Sequence, residues 1–317
     1  MDVCLIDVDS KIPNLALMKL STWHKSKGDT VKLGYDPLFD HPDICYVSKI
    51  FDFTPEPAYL PDCETHFGGP AYDLKSRLPI PDADRIMPDY ELYREKFPNV
   101  NYAMGRFTRG CPNRCPWCVV PKMDGNVVRK VAALSDFWCG QEIVRLLDDN
   151  IMADEDIFDE CCEELAAARP KDHPRRHVKA IWEALDIRLV TDGTAASLAK
   201  VKTSGCIHFA WDGPSQDKYI RPGIETLNRH GIKPYRLMFY VLVGFNTSRE
   251  YDMHRIMTLK ELGANPFVMP YKKDDVYQHN LARWCNNKFV FKKTPSFDEY
   301  EPWKNYLKDH PEYASQS

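Results

Sequence analysis

The chain has 317 residues, of which 44% are apolar, 28% charged and 12% aromatic, with a formal net charge of -4. Such a composition belongs to a globular protein with a substantial core and excludes a disordered or fibrous one. The small net charge gives no whole-molecule field for attracting nucleic acid, so any contact of that kind would rest on local patches.

The N-terminus, MDVCLIDVDSK, lacks a basic stretch followed by an apolar run and a small-residue cleavage site, so no signal peptide is expected. No run approaches the roughly 18 apolar residues that cross a bilayer, and a cytoplasmic protein with no membrane association is expected. Residues 2–8, DVCLIDV, read as a buried strand. NLALMKLSTWHKSKG follows with helical spacing that places Leu15, Met18 and Trp23 on one face and Gly28 as a cap. TVKLGY and DICYVSKIF read as two further strands, so the chain opens as a small parallel β-α-β-β sheet. Prolines at 55, 57, 61, 70, 79, 81, 88 and 98 leave 54–98 as a surface linker with sparse regular structure. GGPAYD (68–73) is a connector rather than a phosphate cradle, because no helix is signalled behind it.

From NYAMGRFT (101–108) onward, strands and helices alternate. Strand-like runs occur at EIVRLLD (142–148), HVKAIWEA (177–184), CIHFAWD (206–212), RLMFYVLVGF (236–245) and NPFVMPY (265–271). Between them lie the helix-like DEDIFDECCEELAAA, TAASLAKVKTS, SQDKYIRPGIETLNRHG and SREYDMHRIMTLKELG. The alternation predicts an α/β fold, a partial (β/α)6 barrel open on one side. The expected organisation is 1–95 as a small α/β segment with its proline-rich linker, 96–275 as the barrel and 276–317 as a C-terminal extension. Chemistry in such a sheet sits at the carboxyl ends of the strands.

The first barrel strand runs directly into RGCPNRCPWCVVPK (109–122), with Cys111, Cys115 and Cys118 spaced by four and then three. An odd total of eleven cysteines argues against a full set of disulfides and for thiols or metal ligands. Structural zinc wants four ligands, usually as two close pairs, and no second pair exists among Cys4, Cys45, Cys63, Cys139, Cys161, Cys162, Cys206 and Cys285. Cys161 and Cys162 are adjacent on a helix, about 100 degrees apart, and cannot both face one cluster. Cys139, Cys206 and Cys285 read as small buried hydrophobes, with an auxiliary cluster or a thiol hydrogen donor as the alternative.

The CxxxCxxC motif, with Trp117 before its last cysteine, resembles the radical S-adenosylmethionine (radical SAM) family. The resemblance implies a [4Fe-4S] cluster on Cys111, Cys115 and Cys118, whose fourth iron is chelated by the amino and carboxylate groups of S-adenosyl-L-methionine (SAM). It implies reductive cleavage of SAM to a 5′-deoxyadenosyl radical, and a one-electron donor such as a flavodoxin or ferredoxin. LLDDN (146–150) stands where the family often carries a Gly-Gly-Glu motif; this chain departs from it, so Asp148, Asp149 or Asn150 would accept the SAM ammonium. Glu183 and Arg188 in EALDIRLVTD would face the ribose and the SAM carboxylate. Gly244 in YVLVGFNTS would let backbone approach the adenine, Trp117 would offer backbone groups to its edge, and Asp212 in FAWDG would contact substrate or SAM. Over roughly 100–290, RGCxxxCxxC, LLDxN, LDxRL, FAWD and FYVLVGFNT together resemble a radical SAM subgroup found in phages and other mobile elements.

The N-terminal segment resembles the start of the cobalamin-binding domains that precede some radical SAM cores. It lacks their Asp-x-His-x-x-Gly pattern, and neither His24, His41 nor His66 has that setting. A shortened relative that has lost the cofactor is expected, with a structural or lid role. Tyr271 and Lys272 are candidate substrate contacts at the end of the last strand. The stretch LARWCNNKFVFKK (281–293) interleaves Arg283, Trp284, Lys288, Phe289, Lys292 and Lys293, a pattern that suits stacking on bases and contact with phosphates; an amphipathic element closing the barrel is the favoured reading. A nucleotide or nucleic acid is the preferred substrate, and a zinc-stabilised nucleic-acid-binding protein without redox activity is the alternative function.

Overall fold

Four short segments, β1 (Asp2–Asp7), β2 (Thr30–Leu33), β3 (Ile44–Ser48) and β4 (Glu64–Gly68), form the first sheet, with helix α1 (Leu15–Ser26) connecting β1 to β2. The computed structural model describes residues 1–311 and 313. The sheet order is β2-β1-β3-β4, and each neighbouring pair runs parallel. Helix α1 starts where Asn14 accepts the backbone N–H groups of Ala16 and Leu17, the usual relief for orphan donors at a helix start. Its buried side is Leu17, Met18, Leu20 and His24, whereas Leu15 and Trp23 are only half-buried. His24 is held between Asp29 at 2.7 Å and the Tyr46 hydroxyl at 3.1 Å, a core histidine with both ring nitrogens occupied.

The proline-rich stretch is not a surface linker throughout. It contributes β4, and Ile80 joins Val3, Leu5, Leu17, Leu20 and Tyr46 in one apolar cluster. Lys19 threads this packing to donate to the carbonyls of Ala83 and Asp84, and burial lowers its pKa to about 8. Proline denies a segment regular hydrogen bonding, but it does not stop that segment from covering a sheet face.

The chain divides into two compact units, Met1–Ile181 and the part from Trp182 onward; this division falls inside the span 96–275 expected to be one domain. The first unit continues with β5 (Tyr102–Gly105), β6 (Thr108–Arg109), the one-turn α2 (Val120–Met123), β7 (Arg129–Lys130), β8 (Ile143–Leu146), α3 (Glu155–Ala167) and all but the last residue of β9 (Lys179–Trp182). Strand β8 lies between β5 and β9, and β5 and β8 are parallel. Asp154 caps α3, whose Phe158, Cys161, Cys162 and Leu165 are buried; both adjacent cysteines are therefore core residues. Gly105 closes β5 because a Cβ there would lie 2.2 Å from the Phe137 ring.

The second unit holds α4 (Asp192–Lys200), the two-residue β10 (Lys202–Thr203), β11 (Ile207–Ala210), α5 (Asp217–Arg229), β12 (Leu237–Val243), α6 (Arg249–Glu261), β13 (Asn265–Pro270), α7 (Val276–Asn286), α8 (Lys288–Lys293) and α9 (Glu301–Asp309). Strands β11, β12 and β13 form a parallel sheet in that order. Along β12, Leu237, Phe239, Val241 and Val243 are buried while Met238, Tyr240 and Leu242 are half-buried; the period of two separates a helix-covered face from a second face. Arg255 of α6 is wholly buried, donating to the carbonyls of Trp211 at 2.5 Å and Leu242 at 2.8 Å and pairing with Asp252. The protein is thus a mixed α/β chain with parallel sheets. No helix among the described residues is long and apolar enough to cross a membrane.

The stretch 281–293 is helical, divided between α7 and α8, and Leu281, Trp284, Cys285 and Phe291 are buried in it. Trp284 packs edge-on against Phe291 at 4.8 Å. An indole fully withdrawn into a core cannot stack on a base, so the interleaved pattern is an amphipathic one. Phe289 and the charged Arg283, Lys288, Lys292 and Lys293 are its exposed remainder.

Candidate functional site at the cysteine loop

The cysteine loop is an excursion stapled at its base. Strands β6 and β7 pair antiparallel, Thr108 opposite Lys130 and Arg109 opposite Arg129, and the chain between them carries all three motif cysteines. Gly110 has φ +94, and a Cβ on it would sit 2.2 Å from the Val127 carbonyl oxygen, so the returning strand crosses where only glycine fits. The Cys111 N–H donates to Gly125 at 3.1 Å and the Cys118 N–H to Cys115 at 3.0 Å. Cys111 is buried, Cys115 and Cys118 are half-buried, and none is in a disulfide. Trp117 is exposed.

The end of β8 clasps this loop. Asp148 accepts from both the backbone N–H and the hydroxyl of Thr108, at 2.6 and 2.7 Å, and Asp149 accepts from the Gly110 N–H at 2.8 Å. Burial raises the Asp148 pKa to about 6 against the opposing pull of those Thr108 bonds. Burial also raises the Asp149 pKa, with the Gly110 N–H acting in the other direction. The second carboxylate oxygen of Asp148 is buried and has no hydrogen-bond partner among the described residues. Asn150 points its amide nitrogen at Cys111 Sγ, 3.6 Å away. Of the three side chains expected to receive the SAM ammonium, two therefore hold loop backbone and the third meets a motif sulfur.

Charge is concentrated behind the loop. Asp124, buried, meets Arg109 at 2.9 Å, Arg106 at 3.5 Å and Arg77 at 3.6 Å. Arg109 also binds Asp84 through two nitrogens, at 2.8 and 2.7 Å. Burial alone would push the Asp84 carboxyl up, but the Arg109 guanidinium holds it below its ordinary value. Two-pronged arginine–carboxylate pairs of this kind fix geometry as well as charge.

A cluster on this loop needs a suitable donor set. Around one zinc, thiolates at about 2.3 Å from the metal lie within about 4 Å of each other. No group of three or more His, Cys, Asp or Glu side chains among the described residues is arranged to hold a metal ion. In a four-iron cluster each thiolate takes a different iron, so the sulfurs stand further apart than around one ion. Three cysteine thiols in one stapled loop, none of them in a disulfide and one of them facing an amide N–H, supply the donor chemistry of such a cluster.

Other expected residues have partners in the second unit. Arg188 folds back onto Asp186 with two bonds, 2.8 and 2.7 Å. Glu183 lies 3.2 Å from Nδ1 of His208, and the Tyr240 hydroxyl is 3.3 Å from the same nitrogen. Asp212 accepts the Leu242 N–H at 3.3 Å, and burial raises its pKa despite that bond. Gly244 has φ +77, but the side where a Cβ would project is covered by the Gln278 amide at 2.2 Å, which takes the space expected for adenine. Tyr271 is exposed and packs edge-on to Phe245 at 4.7 Å. The Lys272 N–H donates to Gln278 at 3.0 Å.

His208 and Tyr240 were not singled out from the sequence. Their signal was the strand period: Ala210 pairs with Tyr240 across β11 and β12 and His208 is two residues before Ala210, so both lie on one face. Tyr240 also packs edge-on against Phe267 at 5.7 Å. A carboxylate on one imidazole nitrogen fixes the ring's tautomer and orientation, the arrangement by which a histidine is prepared for proton transfer. A separate cleft of about 760 Å³ in the first unit is lined by Tyr90, Tyr93, Phe97, Tyr102, Cys139 and His173 among others. It opens at the amino ends of β5 and β8, away from the ends that carry the cysteine loop and its clasp.

No family model matches the chain, and no curated protein matches it. One solved structure, described as "Crystal Structure Analysis of the HPPK-DHPS in complex with substrates", is similar at 12% identity with a TM-score of 0.25. The alignment covers 94% of this chain and 46% of that one, so the chain spans about half the length of the structure it matches. A likeness this slight carries no argument about fold or activity.

Proposed function

We propose that the protein is a radical SAM enzyme. What supports the reading is the clasp: a CxxxCxxC loop at the carboxyl end of β5, stapled by β6 and β7, and held by Asp148 and Asp149 from the end of β8. Cys111, Cys115 and Cys118 would each hold one iron of a [4Fe-4S] cluster and leave the fourth open to SAM. When bound, that pair supplies reductive cleavage of SAM to a 5′-deoxyadenosyl radical, the hard step that the protein itself cannot perform.

The protein's own residues shape and shield the loop. Asp148 and Asp149 fix its entry, Gly110 allows its return, and the arginines around Asp124 anchor its rear wall. Trp117, Glu183, Arg188 and Asp212 would be SAM contacts in this reading; Gly244, whose open side Gln278 covers, is not carried over. The fold that would accompany it is a partial (β/α)6 barrel. A flavodoxin or ferredoxin would deliver the electron, and a nucleotide or nucleic acid is the proposed substrate. With Trp284 and Phe291 in the core, support for that substrate narrows to the exposed Arg283, Lys288, Phe289, Lys292 and Lys293.

The test is metal analysis of protein purified anaerobically. About four iron and four sulfide per chain, lost in the Cys111→Ala, Cys115→Ala, Cys118→Ala triple variant, are expected. Dithionite with SAM should then release 5′-deoxyadenosine and methionine. One zinc and no iron overturns the reading, as does a cluster that never cleaves SAM.

A further inference from the structure

We infer that Asn150 is a built-in hydrogen-bond donor to the Cys111 ligand and sets the redox potential of the cluster, an inference that rests on the iron–sulfur reading above. Asn150 sits where β8 has ended, with φ -161 and ψ 71, as the cap of the one-turn helix Ile151–Ala153. It is 4% exposed, and Ile151 and Met152 beside it are 1% and 2% exposed. The Ala153 N–H donates to the Asn150 carbonyl at 3.1 Å, so the backbone that carries the amide is fixed. Its Nδ2 then lies 3.6 Å from the sulfur of Cys111, the buried member of the motif.

The chemistry of the contact follows from the state of the sulfur. A thiolate bound to iron has no proton to give, so only the NH2 side of the amide suits it. One-electron reduction of a cluster increases the negative charge shared by its sulfurs. A donor held against one of them stabilises the reduced form more than the oxidised form, and hydrogen bonds to cluster sulfurs are among the factors that set the potential. Burial keeps water from competing for the sulfur and strengthens the effect.

The surroundings explain why a neutral donor occupies this position. Asp148 and Asp149 precede it, and ionised carboxylates so near would oppose an added electron. Asn150 counters them without adding a charge of its own. It is thereby a positioning and tuning residue of the cluster, where the departure from Gly-Gly-Glu had suggested an acceptor for the SAM ammonium.

The experiment compares wild type with Asn150→Leu and Asn150→Asp as full chains reconstituted anaerobically with iron and sulfide. The readouts are iron content, a mediated redox titration followed by electron paramagnetic resonance, and the exchangeable-proton coupling of the reduced cluster after transfer to heavy water. Asn150→Leu should leave iron content intact and reduce about tenfold less readily at a fixed potential, a drop of about 59 mV for one electron. Asn150→Asp should fall further, and the exchangeable coupling that the amide contributes should be lost in both. Equal midpoints for wild type and Asn150→Leu overturn this inference and leave the enzyme reading standing. Wild type that takes up no iron overturns both. Should the variants fail to hold a cluster, the wild-type spectrum decides, because absence of an exchangeable proton coupled to the cluster refutes the bond directly.

Discussion

Replacing Asp148 with asparagine tests the account of the clasp. The carboxyl is buried, accepts twice from Thr108 through one oxygen, and leaves the other oxygen without a partner among the described residues. Burial raises its pKa from 3.8 to about 6. At about 1.4 kcal/mol per pKa unit, ionising it costs the folded state about 3 kcal/mol. Because the folded pKa lies above the unfolded one, the folded protein binds more protons than the unfolded chain between about pH 4 and 6. The favourable contribution is complete below pH 4 and is lost as the pH rises through 6. Asp148→Asn keeps an acceptor for Thr108 and removes the titration. Urea unfolding of both proteins across pH 4 to 7.5, handled anaerobically, should give a difference that changes by up to about 3 kcal/mol in favour of the variant and levels off above pH 7. A constant difference across that range would refute burial as the cause of the shift and with it the description of Asp148 as an enclosed, half-satisfied carboxylate.

Two further substitutions probe the backbone and the second core. Gly110→Ala combines a left-handed backbone, a cost of about 1–3 kcal/mol, with a Cβ 2.2 Å from the Val127 carbonyl oxygen, whereas Gly125→Ala has φ +88 and open space within 4 Å. Thermal unfolding should show the first clearly more damaging than the second, with loss of iron uptake confined to the first; equal losses would mean that the crossing is not tight. Arg255→Met should destabilise the protein by about 3–5 kcal/mol by leaving Asp252 buried without its cation, and Arg255→Met with Asp252→Asn should recover part of that loss. Urea midpoints check this, and a double variant no better than the single one contradicts the pairing.

Much of the fold was legible in the chain because its signals are local. The runs around β1, β5, β8, β9, β11, β12 and β13 are apolar and β-rich, and the helices between them carry their own caps, such as Asn14, Asp154 and Ser248. The spacing of Cys111, Cys115 and Cys118 is equally local, so the candidate cluster loop could be found from residues alone. The prolines of 54–98 leave little regular structure there, but nothing local shows that Ile80 will be buried or that β4 will pair with β3. Burial of that kind depends on a partner surface far away in sequence.

The sequence by itself therefore determined the alternation of strands and helices and the position of the thiols. Only the tertiary structure decided which neighbouring groups those residues would meet. Asp148, Asp149 and Asn150 looked equivalent as polar residues at a strand end; the fold gives them Thr108, Gly110 and Cys111 as separate partners. Glu183 and Arg188 are expected from the sequence to face the SAM ribose and carboxylate, and the structure gives Arg188 two bonds to Asp186 while Glu183 meets His208. Hydrogen bonds are fixed to within tenths of an ångström by the packing of distant segments, and the order of residues along a chain carries no such coordinate.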